Sequence, residues 1–64
     1  MNNEFTLREL RARKNKTQAE VAKDLNISAQ TYNVWENNPE KIKLGEALKL
    51  AKYFDVTIGM IKVF

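Results

Sequence analysis

Helix-start signals follow one another so closely in this chain that they leave room for little except short helices. Thr6-Leu7-Arg8-Glu9 and Thr17-Gln18-Ala19-Glu20 are both capping boxes. In each, a Thr oxygen takes an orphan amide of the first turn while the Glu three residues on reaches back to the cap's own amide. Phe5 and Leu10 stand at the two hydrophobic-staple positions around the first box. Leu7 and Leu10 share a face, so a first helix is expected to run to about Arg13 or Lys14 and to give way to the polar turn Lys14-Asn15-Lys16. Val21, Ala22 and Leu25 then recur at helical spacing, with Lys23 and Asp24 outside. This second helix ends near Leu25, because Asn26 tolerates the left-handed conformation that a tight exit needs. Ser28 caps a third helix almost at once, with Ile27 and Tyr32 as its staple.

The third helix is expected to extend from Ala29 to about Glu36. Tyr32, Trp35 and the apolar part of Glu36 face inward, while Ala29, Gln30, Asn33 and Val34 face outward. Tyr32 and Trp35 read as core, although the Tyr32 hydroxyl is also a candidate to reach a phosphate. Pro39 cannot continue a helix and restricts the residue before it, so Asn37-Asn38-Pro39-Glu40 is a loop. Leu44, Ala47, Leu48, Leu50, Ala51 and Phe54 predict a fourth amphipathic helix ending near Asp55. Its start is weakened by Lys43, a poor cap, and by Gly45 in the first turn. Thr57 is expected to cap a short fifth helix stapled by Val56 and Ile61 and docked by Ile58 and Ile61. The fold class is therefore all-α: five short helices around a shared core, one domain over residues 5–64. Met60, Val63 and Phe64 either close that core against Phe5 or form a dimer interface.

Composition narrows the function. With 64 residues and neither Cys nor His, the chain lacks a disulfide framework, thiolate and imidazole metal ligands, and the usual general base. A binding module is expected rather than an enzyme, with no cofactor and no metal. No apolar run approaches the ~20 residues of a membrane span, and the polar start Met1-Asn2-Asn3-Glu4 is not a signal peptide. The expected location is cytoplasmic. The net charge of +3 is unevenly spread: residues 1–16 carry +3, residues 17–36 carry −2 and residues 37–64 carry +2. Such basic flanks suit phosphate, leaving the middle segment to read something else. Ordinary solvated helix faces would give the same counts.

The informative junction lies within residues 18–37. Two short helices are separated by a turn of roughly three residues, which is helix-turn-helix spacing. Val21, Leu25, Ile27, Tyr32 and Trp35 can all enter one core, and Ala22 permits close approach of the two helices. The outward face of the second of them is uncharged and rich in amides. Such side chains contribute little to a core but pair well with base edges in a major groove.

Those residues carry a resemblance. Thr17-Gln18-Ala19-Glu20-Val21-Ala22, Leu25-Asn26-Ile27-Ser28, Thr31-Tyr32, Trp35-Glu36, Leu48-Lys49-Leu50-Ala51-Lys52 and Val56-Thr57-Ile58 together resemble the lambda-repressor/Cro-like, or XRE, helix-turn-helix family. The resemblance extends from about Leu7 to Ile61 and implies a compact five-helix DNA-binding domain of a bacterial or phage transcriptional regulator. It implies base contacts from Gln30 above all, with Asn33, Ala29 and Val34, and a phosphate contact from Gln18, which also braces the third helix. Thr31, Asn37, Asn38, Lys41 and Lys43 are implied to touch the DNA backbone. Arg11 and Glu36 match a family pair that bridges the first and third helices. Three departures stand out: Asn26 in place of a turn Gly, Asn37-Asn38 in place of a basic residue and Gly, and Lys16 at a frequently apolar corner.

The implied partner is double-stranded DNA carrying a pseudo-palindromic operator, bound by a weak homodimer, with no membrane and no small-molecule effector. Two other readings are a helical protein-interaction module and the antitoxin of a toxin–antitoxin pair. Arg8, Arg13 and Lys14 divide between a solvated face and long-range attraction of phosphate.

Overall fold

A computed structural model describes residues 4–62 of the chain. Four α-helices form its body: α1 (Leu7–Lys14), α2 (Gln18–Leu25), α3 (Ala29–Asn37) and α4 (Leu44–Phe54). Two 3-10 turns, Pro39–Lys41 and Ile58–Met60, complete it.

Local sequence chemistry accounts for most of the boundaries. Thr6 Oγ1 accepts from Glu9 N at 3.1 Å, and Glu9 Oε1 accepts from Thr6 N at 2.8 Å. Thr17 and Glu20 repeat this reciprocal pair at the start of α2 with the same two distances. Ser28 Oγ accepts from Thr31 N at 3.0 Å to cap α3. Lys43 has no side-chain oxygen to offer α4, so only half a box forms, with Lys43 N donating to Glu46 Oε1 at 3.0 Å. α1, α2 and α4 all exit through left-handed residues, namely Asn15 (φ 57°), Asn26 (φ 61°) and Asp55 (φ 58°). Asn and Asp are the non-glycine residues that best tolerate that region.

The core is one cluster drawn from every helix: Leu7, Leu10, Val21, Ala22, Tyr32, Trp35, Leu50, Ala51 and Phe54, joined by Ile61. Tyr32 and Trp35 meet edge to face, with ring centroids 6.5 Å apart. The two ends of the described chain are tied together. Phe5 N donates to Met60 O at 2.7 Å, Lys62 N donates to Phe5 O at 2.8 Å, and Phe5 and Ile61 form an isolated parallel bridge.

Three expectations are corrected. The fifth helix is a single 3-10 turn, and Thr57 provides no side-chain cap. Ile61 leaves helical geometry to pair with Phe5, so too few residues remain to close an α-helical ladder. Ile58 does not dock it either, being 37% exposed. On α4, Ala47, Leu50, Ala51 and Phe54 make the buried stripe, whereas Leu44 and Leu48 are 70% and 53% exposed. Leu48 follows Ala47 directly and so points about 100° away around the helix. The Tyr32 hydroxyl cannot reach a phosphate, because the side chain is wholly buried. Val63 and Phe64 lie outside the described residues.

Candidate nucleic-acid interface

α3 presents two faces. Tyr32 and Trp35 are sunk in the core. On the other side Gln30, Asn33 and Asn37, spaced i, i+3 and i+7, line up along an exposed face. Ala29 and Thr31 beside them are exposed, and Val34 is half-buried. Apart from Glu36, which turns inward, the helix has no charged side chain.

Glu36 anchors α3 to α1. Arg11 Nε lies 2.6 Å from Glu36 Oε2, and Arg11 Nη2 lies 3.3 Å from Glu36 Oε1. A third Arg11 nitrogen, Nη1, donates to Lys16 O at 3.0 Å, so the guanidinium also pins the turn between α1 and α2. The Glu36 side chain is 0% exposed and that of Arg11 19%. Burial pushes the Glu36 carboxyl up, but hydrogen bonds from Arg11 and Gln18 outweigh it and hold the group below the usual carboxylate range. The same pairing raises the Arg11 guanidinium further. The Tyr32 hydroxyl sits against this pair without a hydrogen-bond partner, and burial pushes its phenol far up.

From Glu36 a chain of amides leads out to the surface. Gln18 Nε2 donates to Glu36 Oε1 at 2.7 Å. Asn33 Nδ2 donates to Gln18 Oε1 at 3.0 Å, and Asn37 Nδ2 donates to Asn33 Oδ1 at 3.1 Å. Gln18 is the first residue of α2, so this chain fixes the start of one helix against the middle of the next. Ser28 Oγ donates to Thr31 Oγ1 at 2.8 Å, leaving the Thr31 hydroxyl proton directed elsewhere.

The remaining residues lie at the exit of α3 and on the segment after it. Asn38 is half-buried at the exit of α3, where its N–H donates to Val34 O at 2.7 Å. Lys41 and Lys43 are exposed on the following segment. Arg8, divided by its sequence context between a solvated face and attraction of phosphate, lies beside Glu36. Its Nε lies 3.7 Å from Glu36 Oε1, its side chain is 68% exposed, and it lines a shallow depression with Thr6 and Asn37. The available signal was its spacing, three residues before Arg11 on the same face of α1. Other basic residues are engaged within the fold: Arg13 over the Phe5 ring at 5.1 Å, Lys14 over Tyr53 at 4.8 Å, and Lys16 with Asp24 at 2.6 Å.

This is a short polar helix braced from behind by a buried ion pair and from the side by the helix before it, with cations at its edges. The arrangement suits insertion into a groove lined by base edges and phosphates. Among the described residues no helix is long and apolar enough to cross a membrane. No curated protein and no solved structure matches the chain. Residues 7–61 match the helix-turn-helix family, which spans both braced helices and the core that holds them, and the chain accordingly belongs to the helix-turn-helix family of XRE, lambda-repressor/Cro-like type.

Proposed function

We propose that the protein is a sequence-specific transcriptional regulator, of bacterial or phage origin, that acts by occupying an operator. α3 enters the major groove. Gln30 reads a base edge, with Asn33 beside it and Ala29 and Val34 offering apolar contact to a thymine methyl. Gln18, Thr31, Asn37, Asn38, Lys41 and Lys43 hold the DNA backbone. One observation carries this reading: the exposed face of α3 carries uncharged amides, two of which, Asn33 and Asn37, are tied through Gln18 to the Glu36–Arg11 pair. Family membership gives a DNA-binding regulator of the XRE type; the repressor-like role is the added step.

Two copies related by a two-fold axis then read two half-sites ~34 Å apart in a pseudo-palindrome. Exposed Leu44, Leu48 and Ile58 offer apolar surface for that weak homodimer. Occupancy follows from concentration alone, without a small-molecule effector, in the cytoplasm alongside the nucleoid. Selection of bound duplexes from a random pool at two salt concentrations tests the proposal. The expected result is a recurrent, two-fold-related sequence. No enrichment at moderate salt refutes it and leaves the helical protein-interaction reading; an antitoxin, which binds DNA as well as a protein, predicts enrichment too.

A further inference from the structure

We propose that the buried Glu36 carboxylate fixes the direction of the Gln18, Asn33 and Asn37 side-chain amides, making Glu36 a positioning residue for base discrimination. The proposal rests on the DNA-binding reading above.

The reasoning starts from what each group is able to donate. An ionised carboxylate only accepts hydrogen bonds, whereas a side-chain amide has a donor end and an acceptor end that exchange by a half-turn. Glu36 is shielded from water and held ionised by Arg11, so it presents only acceptor oxygens to Gln18. Only the nitrogen end of Gln18 can meet it, at 2.7 Å. Gln18 Oε1 is then forced toward α3, where only an N–H can face it, and Asn33 supplies Nδ2 at 3.0 Å. Asn33 Oδ1 is left pointing along the helix and takes the Asn37 Nδ2 proton at 3.1 Å. Reversing any one amide sets two oxygens or two NH2 groups face to face. The sense set at a buried charge is thus passed, link by link, to two exposed residues.

The consequence concerns recognition. A free Asn flips to suit whichever order of donor and acceptor a base edge offers. An Asn33 held with nitrogen toward Gln18 and oxygen toward Asn37 meets one order well and the reverse order badly. Adenine shows an acceptor beside a donor in the major groove, so amide direction decides which base pair is accepted. Glu36 touches no DNA in this scheme and acts through the three amides.

Two measurements test this separately. The first uses free protein. Asn33→Asp replaces the donor facing Gln18 Oε1 by an acceptor. It is expected to lower the unfolding midpoint by roughly 4–8 °C, and to cost almost nothing when Gln18→Met has removed the locked oxygen. An equal loss in both backgrounds, or no loss in either, overturns the relay. The second uses the duplex pool. Gln18→Met leaves the Glu36–Arg11 pair intact but frees Asn33. It is expected to reduce discrimination roughly tenfold at one base pair per half-site, in addition to any loss common to all duplexes. A common loss with an unchanged base profile overturns the claim on recognition. If the unaltered protein selects no duplex, the DNA-binding reading fails while the first measurement still judges the relay.

Discussion

Removal of Arg11 tests the central contact of the fold. In Arg11→Ala the Glu36 carboxylate keeps its 2.7 Å hydrogen bond from Gln18 but loses the guanidinium at 2.6 Å. The nearest remaining cation is Arg8, at 3.7 Å and largely in solvent. A charge left buried without its partner typically costs 3–5 kcal/mol, and the smaller figure suits a site with Gln18 still in place, giving about 3 kcal/mol. A 64-residue chain has roughly 3–10 kcal/mol of stability in total. The variant therefore approaches the limit of folding, with a midpoint lower by roughly 12–24 °C. Lys16→Ala is the control. Its ion pair with Asp24 is equally short, but both side chains are more than one-third exposed and screened by solvent, so the expected loss is far smaller than for Arg11→Ala.

Acid distinguishes the two causes further. In the intact protein the folded-state Glu36 carboxyl lies below its ordinary value, so its stabilisation is present at neutral pH and fades as pH falls through that lowered value. In Arg11→Ala the group faces only Gln18, the solvent-screened Arg8 at 3.7 Å and the neutral Tyr32 phenol, so burial is expected to raise it. A raised carboxyl is destabilising at neutral pH, and protonation relieves the penalty as pH falls through the raised value. The gap between variant and parent is therefore expected to narrow from pH 7 toward pH 4. Thermal unfolding followed by circular dichroism measures both quantities. A loss below 1 kcal/mol at pH 7, or a gap that stays constant with pH, refutes the reasoning.

Other outcomes follow from the same contacts. Thr17→Ala deletes a reciprocal cap and is expected to cost about 1 kcal/mol in urea unfolding. Asn26 sits at φ 61°, so Asn26→Ala is expected to cost about 1 kcal/mol, while Asn26→Gly is close to neutral or stabilising in the same assay. On DNA, Gln30→Ala is expected to change preference at one position by ~1–3 kcal/mol. Lys41→Ala is expected to weaken all duplexes alike and reduce the salt slope by about 1, as read from competition binding at several salt concentrations.

The helix starts were legible because a cap is a local device: Thr6 and Glu9, or Thr17 and Glu20, specify it within one turn. Asn26 was legible for the same reason. The exit at Asn15 uses identical chemistry, yet there a polar turn was all that the spacing announced. What the chain does not declare is anything set by packing between distant segments. Leu48 fits an amphipathic pattern on hydrophobicity but falls beside the buried stripe, because α1 and the 3-10 turn Ile58–Met60 that pack on α4 cover only part of it. The expected final helix gives way to a 3-10 turn because Ile61 is claimed by Phe5, at the other end of the chain. The site divides likewise. The amide face of α3 is visible as composition, and the Arg11–Glu36 pair follows from resemblance. The link from Gln18 to Asn33 joins separate helices, and only the resemblance, not local spacing, points to it; that from Glu36 to Arg8 is signalled solely by the place of Arg8 one turn before Arg11.

The division of charge bears on how binding would be achieved. In the proposed mode α3 would supply discrimination but no cation, and much of the basic N-terminal segment is engaged internally: Arg11 with Glu36, Arg13 over Phe5, Lys14 over Tyr53 and Lys16 with Asp24. Arg8 beside Glu36, and the exposed Lys41 and Lys43 named in the proposed mode, are then taken as the cations that would hold phosphate. Each phosphate neutralised contributes about −0.9 to the log–log salt slope, so one copy held by these three has a slope near −3. Such a copy gains little from electrostatics at physiological salt and binds random DNA weakly. On the proposed homodimer, specific binding would then depend on summing two half-sites. The prediction is a slope that doubles, to about −6, between a half-site duplex and a two-half-site duplex. An equal slope and affinity on both duplexes would refute the dimer while leaving single-site recognition intact.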